Sequence, residues 1–285
     1  MSLVSLKSVL EPGVKKNYAV GAFNVTNYLL FESVLKAAES KNKPVIISIA
    51  EVHFKYLDLD NFIPYIKNRI NISQVPVVLH LDHGLSFETI MKAIHWGFSS
   101  VMIDASSLSL EKNIKLTKKV VEAAHSADVS VEAELGHVAG GEGDIKNGTE
   151  VDKNTYTKVE DANYFVQETG IDALAVAVGT VHGLYKGKPE LDLKRLAKIR
   201  DELEIPLVLH GGSGLTDQDF TDAINNGINK INFYTGNSLL GVEAIKKHLE
   251  KENGITSLPD LTSAAFNEIK INVEKYIGLF ANNNL

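Results

Sequence analysis

The chain alternates between short apolar runs rich in β-branched residues and longer segments whose apolar residues recur every three or four positions. Runs of the first kind are typical of buried strands, and segments of the second kind are typical of amphipathic helices. Leu29, Val34, Leu35 and Ala38 show the helical spacing. The predicted strands lie at residues 19–23, 44–49, 76–81, 99–103, 129–134, 172–177, 206–210 and 228–232.

Strands that alternate with helices predict an α/β fold with a parallel sheet, and at this length closure into a (β/α)8 TIM barrel is the simplest arrangement. We therefore expect one catalytic domain over residues 1–285. A doubly wound open sheet is the alternative, but no Gly-x-Gly-x-x-Gly follows the first strand. Residues 258–280 predict an extra C-terminal helix, which would cap the barrel or form a subunit interface.

Two long connections interrupt this rhythm, at residues 135–157 and 178–190. The first is rich in glycine and polar residues. Long connections inside compact domains are usually functional lids or disordered segments. We expect both connections to lie beside the functional site.

Composition excludes several classes of protein. Hydrophobic residues make up 44% of the chain and charged residues 23%, as in ordinary globular proteins. A net charge of −7 argues against nucleic-acid binding, and no apolar run approaches the roughly 20 residues of a membrane helix. The N-terminus shows no signal peptide, so we expect a cytoplasmic protein. With no cysteine, a zinc site would need histidines and carboxylates.

Ionisable and amide side chains gather where the predicted strands end. In a barrel these ends share one face, where active sites are built. Three histidines near carboxylates would suit a catalytic zinc site with an open position. His80, two residues before Asp82, should lie behind the site, whereas most other histidines are expected to be solvated. The strand ends and the loop after the sixth strand supply Asn24, Asp82, His83, Asp104, Glu132, Glu134, His182, His210, Asn232 and Thr235.

The sequence HGGSG at residues 210–214 is a candidate phosphate site, although a simple tight turn has the same composition. Glycines allow backbone N–H groups to approach an anion, and a helix beginning at Leu215–Thr216 would add its positive end. Thr235 could contribute a hydroxyl group. Lys186 could contribute a counter-charge.

Six motifs occur in the order HLDHG, SVMIDAS, VEAELGHV, GTVHGLYKGKPEL, LVLHGGSG and KINFYT. In this order they resemble the class II, metal-dependent ketose-bisphosphate aldolases, which include fructose-1,6-bisphosphate and tagatose-1,6-bisphosphate enzymes. The resemblance runs from about Tyr18 to Thr235. It implies reversible cleavage of a phosphorylated ketose into dihydroxyacetone phosphate and an aldehyde such as glyceraldehyde 3-phosphate. It also implies a Zn²⁺ cofactor and a homodimer or homotetramer.

The resemblance assigns His83, His182 and His210 to the zinc ion, which can stabilise the charge that develops on cleavage by several kcal/mol. Asp104 and Glu134 match carboxylates around the metal that sometimes hold a second divalent ion. Asp82 matches the acid/base at the C4 hydroxyl. Glu142, in the glycine-rich loop, matches the residue that moves a proton at C3. The expected substrate contacts, beside a sodium or potassium ion, are Asn24, Gly183, Lys186, Gly211, Gly212, Ser213, Asn232 and Thr235.

The chain departs from the family pattern at three places. Ala50 stands where many relatives have serine, and Tyr234 stands where they often have Asp, Asn or Ala. The glycine-rich loop, GHVAGGEGD, is shifted from the commoner pattern. These departures leave the identity of the sugar open.

Three other functions stay open from sequence. A Schiff-base aldolase would need a desolvated lysine inside the barrel, and Lys230 is the candidate. A phosphosugar-binding protein without turnover could share the barrel. A metal-dependent epimerase or isomerase could use the same groups without breaking a C–C bond.

Overall fold

The computed structural model describes residues 2–141 and 148–285. Eight parallel strands close into a barrel in sequence order, so the predicted TIM barrel is confirmed. Each predicted strand boundary lies within one residue of the observed one, except that the third strand ends three residues later. The strands are β1 Val20–Asn24, β2 Val45–Ala50, β3 Val77–Gly84, β4 Ser100–Ile103, β5 Ser130–Leu135, β6 Ala173–Val176, β7 Leu207–Leu209 and β8 Ile228–Phe233.

Helices surround the barrel, and several begin at side-chain caps, such as Asn27 and Ser86. Two short 3-10 helices, Glu51–Tyr56 and Lys153–Thr155, lie in the connections. The α-helices are α1 Leu6–Lys16, α2 Tyr28–Lys41, α3 Leu59–Asn71, α4 Phe87–Trp96, α5 Leu110–His125, α6 Val159–Thr169, α7 Leu193–Glu202, α8 Asp217–Asn225, α9 Thr235–Lys251 and α10 Leu258–Phe280.

The barrel has two separate apolar regions. One lies between the strands and the surrounding helices. The other fills the amino-terminal half of the barrel interior, where α1, absent from the sequence prediction, closes the end with Leu6, Val9 and Leu10. The strand residues of this interior cluster are Val20, Ala22, Ile46, Val78, Met102, Ala173, Ala175 and Val208.

The extra C-terminal helix α10 is confirmed. It packs against α2 and α9 on the outside of the barrel, and Phe280 packs its ring on Phe220 at a centroid distance of 5.0 Å. The backbone N–H of Ala19 donates to the carbonyl of Phe280, which ties the helix to the start of β1. In the described parts of the chain, none of the helices has the length and hydropathy needed to cross a membrane.

Candidate active site

The carboxyl end of β3 delivers two adjacent side chains to the same place. Neighbouring strand residues normally face opposite sides. Here the pairing with β4 shifts between Leu81 and Gly84, and His83 has φ +101°. A positive φ is rare for a residue other than glycine and often marks a functional site. The irregularity lets His83 and Asp82 approach each other, with 3.7 Å between Nε2 and Oδ1.

The three predicted histidine ligands come together. His83 ends β3, His182 lies in the loop after β6, and His210 follows β7 directly. The ring centroid of His83 lies 4.9 Å from that of His182 and 4.6 Å from that of His210. One ring nitrogen from each lies within 4.8 Å of the others, so the three could hold one metal ion.

The chemistry of these donors fits a transition metal. All three imidazoles are buried. Among the residues that the structure describes, His83 Nε2 and His210 Nδ1 make no hydrogen bond. A buried ring nitrogen without a hydrogen bond is costly in a stable fold unless a ligand takes the lone pair. Three imidazoles with an open fourth position are the donor set of many catalytic zinc sites.

Two carboxylates border the cluster. His83, Asp104 and Glu134 form a second group whose ligand atoms lie within 4.8 Å of one another. Asp104 accepts from His83 Nδ1 at 3.0 Å and from the Ser106 hydroxyl at 2.7 Å. Burial and the neighbouring Asp104 raise the pKa of Glu134 to about 8. Burial opposes the charged imidazolium, but Asp82 and Asp104 outweigh it and raise the pKa of His83 to about 10, so a metal ion at Nε2 would displace a proton.

Asp82 is held by two amide groups. Asn24 Nδ2 donates to Asp82 Oδ2 at 2.8 Å, and Asn232 Nδ2 donates to Oδ1 at 2.9 Å. Burial raises the pKa of a carboxyl group, yet the surrounding cationic groups, His83 foremost, hold the pKa of Asp82 well below its usual range. Asp82 is therefore an oriented, ionised carboxylate beside the histidine cluster, and Asn24 and Asn232 contact it directly.

The glycine loop after His210 lies against the loop after β6. Gly211 has φ +69°, and a Cβ there would lie 2.2 Å from the Val181 carbonyl oxygen, so only glycine fits. The Tyr185 hydroxyl donates to the Gly211 carbonyl at 2.6 Å. The Gly212 N–H donates to the Asn232 carbonyl at 3.2 Å. These contacts join the ends of β6, β7 and β8.

The two helices next to the glycine loop differ at their amino-terminal ends. α8, which follows Leu215–Thr216, begins with a capping box and carries Asp217 and Asp219 in its first turn. The capping box engages the N–H groups of Thr216 and Asp219, and the acidic side chains oppose an anion. α9 has no side-chain cap and no acid in its first turn. Its Gly236 N–H lies beside the glycine loop and donates to Ser213 Oγ at 3.0 Å.

The other predicted substrate contacts are spread around this rim. Thr235 is buried at the start of α9, and Gly183 follows His182 with φ +79°. Lys186 is 56% exposed, and its Nζ lies 3.9 Å from Glu150, so the structure shows it as a solvated side chain. Glu142 lies outside the described residues.

Sequence reasoning missed His53, which lies on the 3-10 helix after β2. Its ring is buried and packs against Tyr234 at a centroid distance of 4.6 Å. Burial lowers the pKa of His53 to about 4, and its Nδ1 makes no hydrogen bond within the described ranges 2–141 and 148–285. Tyr234, where the chain departs from the family pattern, thus packs against a buried neutral imidazole. A search limited to the ends of the strands would not have found His53.

Comparison with known proteins agrees with this geometry. The sequence model of one family, described as fructose-bisphosphate aldolase class-II, matches residues 4–285. A fructose-bisphosphate aldolase of Geobacillus stearothermophilus is 42% identical over 259 residues, which cover 90% of this chain and 88% of that protein. One from Staphylococcus aureus strain Mu50 is 39% identical, covering 100% and 99%. The crystal structure of the YdjI aldolase from Escherichia coli K12 superposes with a TM-score of 0.86 at 33% identity, covering 98% and 97%.

Proposed function

The chain belongs to the class II fructose-bisphosphate aldolase family, and we propose that it cleaves a ketose 1,6-bisphosphate of the fructose or tagatose type. The products would be dihydroxyacetone phosphate and glyceraldehyde 3-phosphate, in a reversible reaction. Family membership makes the chain an aldolase, a lyase that breaks a C–C bond. The observation that carries the proposal is the buried Asp82 carboxylate, held by two amides and 3.7 Å from His83 Nε2 in the three-histidine cluster.

His83, His182 and His210 would hold a Zn²⁺ ion. When bound, the ion supplies Lewis-acid polarisation of the sugar oxygens. His83 with Asp104 and Glu134 could hold a second divalent ion, because carboxylate oxygens and an imidazole converge there. We also propose a sodium or potassium ion beside the glycine loop.

Asp82 would act as the base at the C4 hydroxyl. It takes the hydroxyl proton, C4 becomes the carbonyl carbon of the aldehyde as the C3–C4 bond breaks, and the electron pair of that bond passes to C3 beside the C2 carbonyl group. Asn24 and Asn232 fix the direction of the carboxylate, which keeps the base within reach of that proton. Glu142 as the residue that returns a proton to C3 stays a prediction.

The glycine loop and the start of α9 would hold the phosphate of the triose half. The backbone of the glycine loop and the start of α9, which carries no acidic residue in its first turn, suit an anion. Gly183 and Thr235 border the same rim, and the amide of Asn232 lies between the rim and Asp82. The triose phosphate would thus be fixed on the side of β7 and β8.

Retro-aldol cleavage of a panel of ketose bisphosphates and ketose 1-phosphates tests this function. We expect release of dihydroxyacetone phosphate that is lost on chelation and restored by added zinc. Cleavage that survives complete metal removal would contradict the metal mechanism. Conversion without cleavage would identify an epimerase or isomerase, and zinc binding without any turnover would identify a binding protein.

We further propose a homodimer or homotetramer. Val242 on α9 and Leu258 and Ile271 on α10 expose apolar side chains on the outer surface. α9 and α10 pack against each other, and apolar side chains on adjacent helices are where a subunit contact would form. Light scattering at several protein concentrations would give the state, and a monomer at every concentration would contradict it. The cytoplasmic location stays a prediction.

A further inference from the structure

A fully buried polar layer lies inside the barrel, directly beneath the three histidines. Its members are Lys230 on β8, Glu132 on β5, and His80 on β3 with Ser100 on β4, and each has no exposed surface. A buried lysine and a buried glutamate are expensive to maintain, and such pairs add little net stability. Their position next to a predicted metal ligand calls for another explanation.

Glu132 connects Lys230 to His210. Lys230 Nζ donates to Glu132 Oε2 at 2.7 Å and to Oε1 at 3.0 Å. His210 Nε2 lies 2.9 Å from the same Oε1. An ionised carboxylate only accepts hydrogen bonds, so His210 must carry its proton on Nε2. The lone pair is then on Nδ1, the atom without a hydrogen bond among the described residues.

The other members of the layer provide the remaining hydrogen-bond acceptor for Lys230. Its Nζ lies 3.3 Å from His80 Nε2, and His80 Nδ1 lies 2.9 Å from Ser100 Oγ. Neutral His80 can accept from Lys230 and donate to Ser100. The ammonium group thus has two carboxylate oxygens and one imidazole nitrogen as acceptors. A Schiff base needs a free amine lone pair, so this arrangement disfavours Lys230 as a covalent nucleophile.

We propose that Glu132 and Lys230 are positioning residues for the metal centre. Lys230 fixes the Glu132 carboxylate, and Glu132 holds His210 in the Nε2–H tautomer with Nδ1 directed at the metal. The inference rests on the proposed function in one respect, that His83, His182 and His210 bind a metal ion. A carboxylate that hydrogen-bonds a ligating histidine typically improves metal affinity or activity by about 10- to 100-fold.

Two double variants of the full chain test the proposal by metal affinity. In Glu132→Leu with Lys230→Met, neither charge remains, so no unpaired ion is left buried. The variant Glu132→Gln with Lys230→Met has the same net charge as the leucine variant, but its amide oxygen can still accept a hydrogen bond from His210. We expect the zinc dissociation constant, measured by chelator competition, to rise about 10- to 100-fold in the leucine variant and to recover partly in the glutamine variant.

An ion pair outside the barrel provides the matched control. Glu32 and Arg69 form a partly buried pair between α2 and α3. Replacing it with Glu32→Leu and Arg69→Met should leave the zinc dissociation constant unchanged. If the layer inside the barrel only supported packing, its leucine variant would also bind zinc like the wild type, and the proposal would be overturned.

The tautomer itself can be observed without any variant. In the metal-free wild-type chain labelled with ¹⁵N-histidine, a long-range ¹H–¹⁵N spectrum should show the His210 proton on Nε2. A proton on Nδ1 would overturn the proposal even if the double variants failed to fold. Failure of the proposed function looks different, because a wild-type chain that binds no zinc and cleaves no ketose phosphate would contradict both.

Discussion

At the amino-terminal end of the barrel, the inward-facing side chains are apolar, and α1 closes that end with leucine and valine. At the carboxyl end, the same strands carry carboxylates, amides and imidazoles. β3 shows the change within one strand, since Val78, His80 and Asp82 follow one another at two-residue steps on one face. In one barrel, the amino-terminal end thus contributes apolar packing and the carboxyl end carries the groups proposed for catalysis. Mutations at the amino-terminal end should therefore change stability, and mutations at the carboxyl end should change activity.

The largest effect should come from removing a metal ligand. We expect His210→Ala to abolish zinc binding and to lower kcat/KM for the cleaved ketose by about 10³- to 10⁴-fold, since a bound metal contributes several kcal/mol to the transition state. Metal content and steady-state cleavage measure this. Exposed His95→Ala is the control. Full activity of His210→Ala would show that cleavage does not depend on a metal ion held by the three histidines.

The next largest effect should come from the base. Asp82→Ala removes the carboxylate held by Asn24 and Asn232, and we expect kcat to fall by about 10²- to 10⁴-fold. Zinc should still bind, because the three imidazoles remain. Asp201→Ala, at an exposed position, should behave like the wild type. If zinc binding and turnover disappeared together in Asp82→Ala, Asp82 would be a structural support for the cluster rather than a base.

A change at the apolar end should affect stability alone. Leu10→Ala removes a fully buried side chain from the interior cluster and should lower the free energy of unfolding by about 2–5 kcal/mol. Urea unfolding measures the loss, with Ile72→Ala, at an exposed apolar position, as the control. Activity per folded molecule should not change. A lower kcat in folded Leu10→Ala would show that the two ends are coupled.

The smallest effect should come from charges outside the barrel. Glu32 accepts from Arg69 and from the Tyr65 hydroxyl, which outweigh its burial and lower the pKa of Glu32 below 4.5. Its stabilising contribution is therefore present above pH 4.5 and is lost as the pH falls through the lowered value. Glu32→Gln should cost about 1 kcal/mol or less at pH 7 and progressively less in acid. Urea unfolding at several pH values checks this, and a gap that widens in acid would contradict the sign.

Sequence pattern predicted the strands well because buried parallel strands are continuous apolar runs. It missed the end of β3, where Asp82 and His83 interrupt the run. The backbone continues to pair there, and hydropathy does not show a bulge or a positive φ. It also missed α1, because Pro12 and Gly13 lie within its amphipathic pattern and normally interrupt helices.

The strand-end rule brought together the groups that meet in three dimensions, including Asp82, His83, Asp104, Glu134 and His210. The alternation of side chains along a strand also explains the buried polar layer beneath these groups. Glu132 precedes Glu134 by two residues and Lys230 precedes Asn232 by two, so both were predictable neighbours of the site on the same strand faces. His53 was not, because it lies on a short helix whose position depends on how the connection after β2 packs.

In the described part of the chain, α1 closes the amino-terminal end of the barrel. Leu6, Val9 and Leu10 block access from that end, so the proposed sugar phosphate, its products and the proposed metal ion would all pass through the carboxyl end. Ligands that share one route enter and leave one after another. A sugar phosphate bound at the carboxyl end would obstruct dissociation of a metal ion held beneath it. Metal exchange should therefore be slowest when the active site is occupied by substrate.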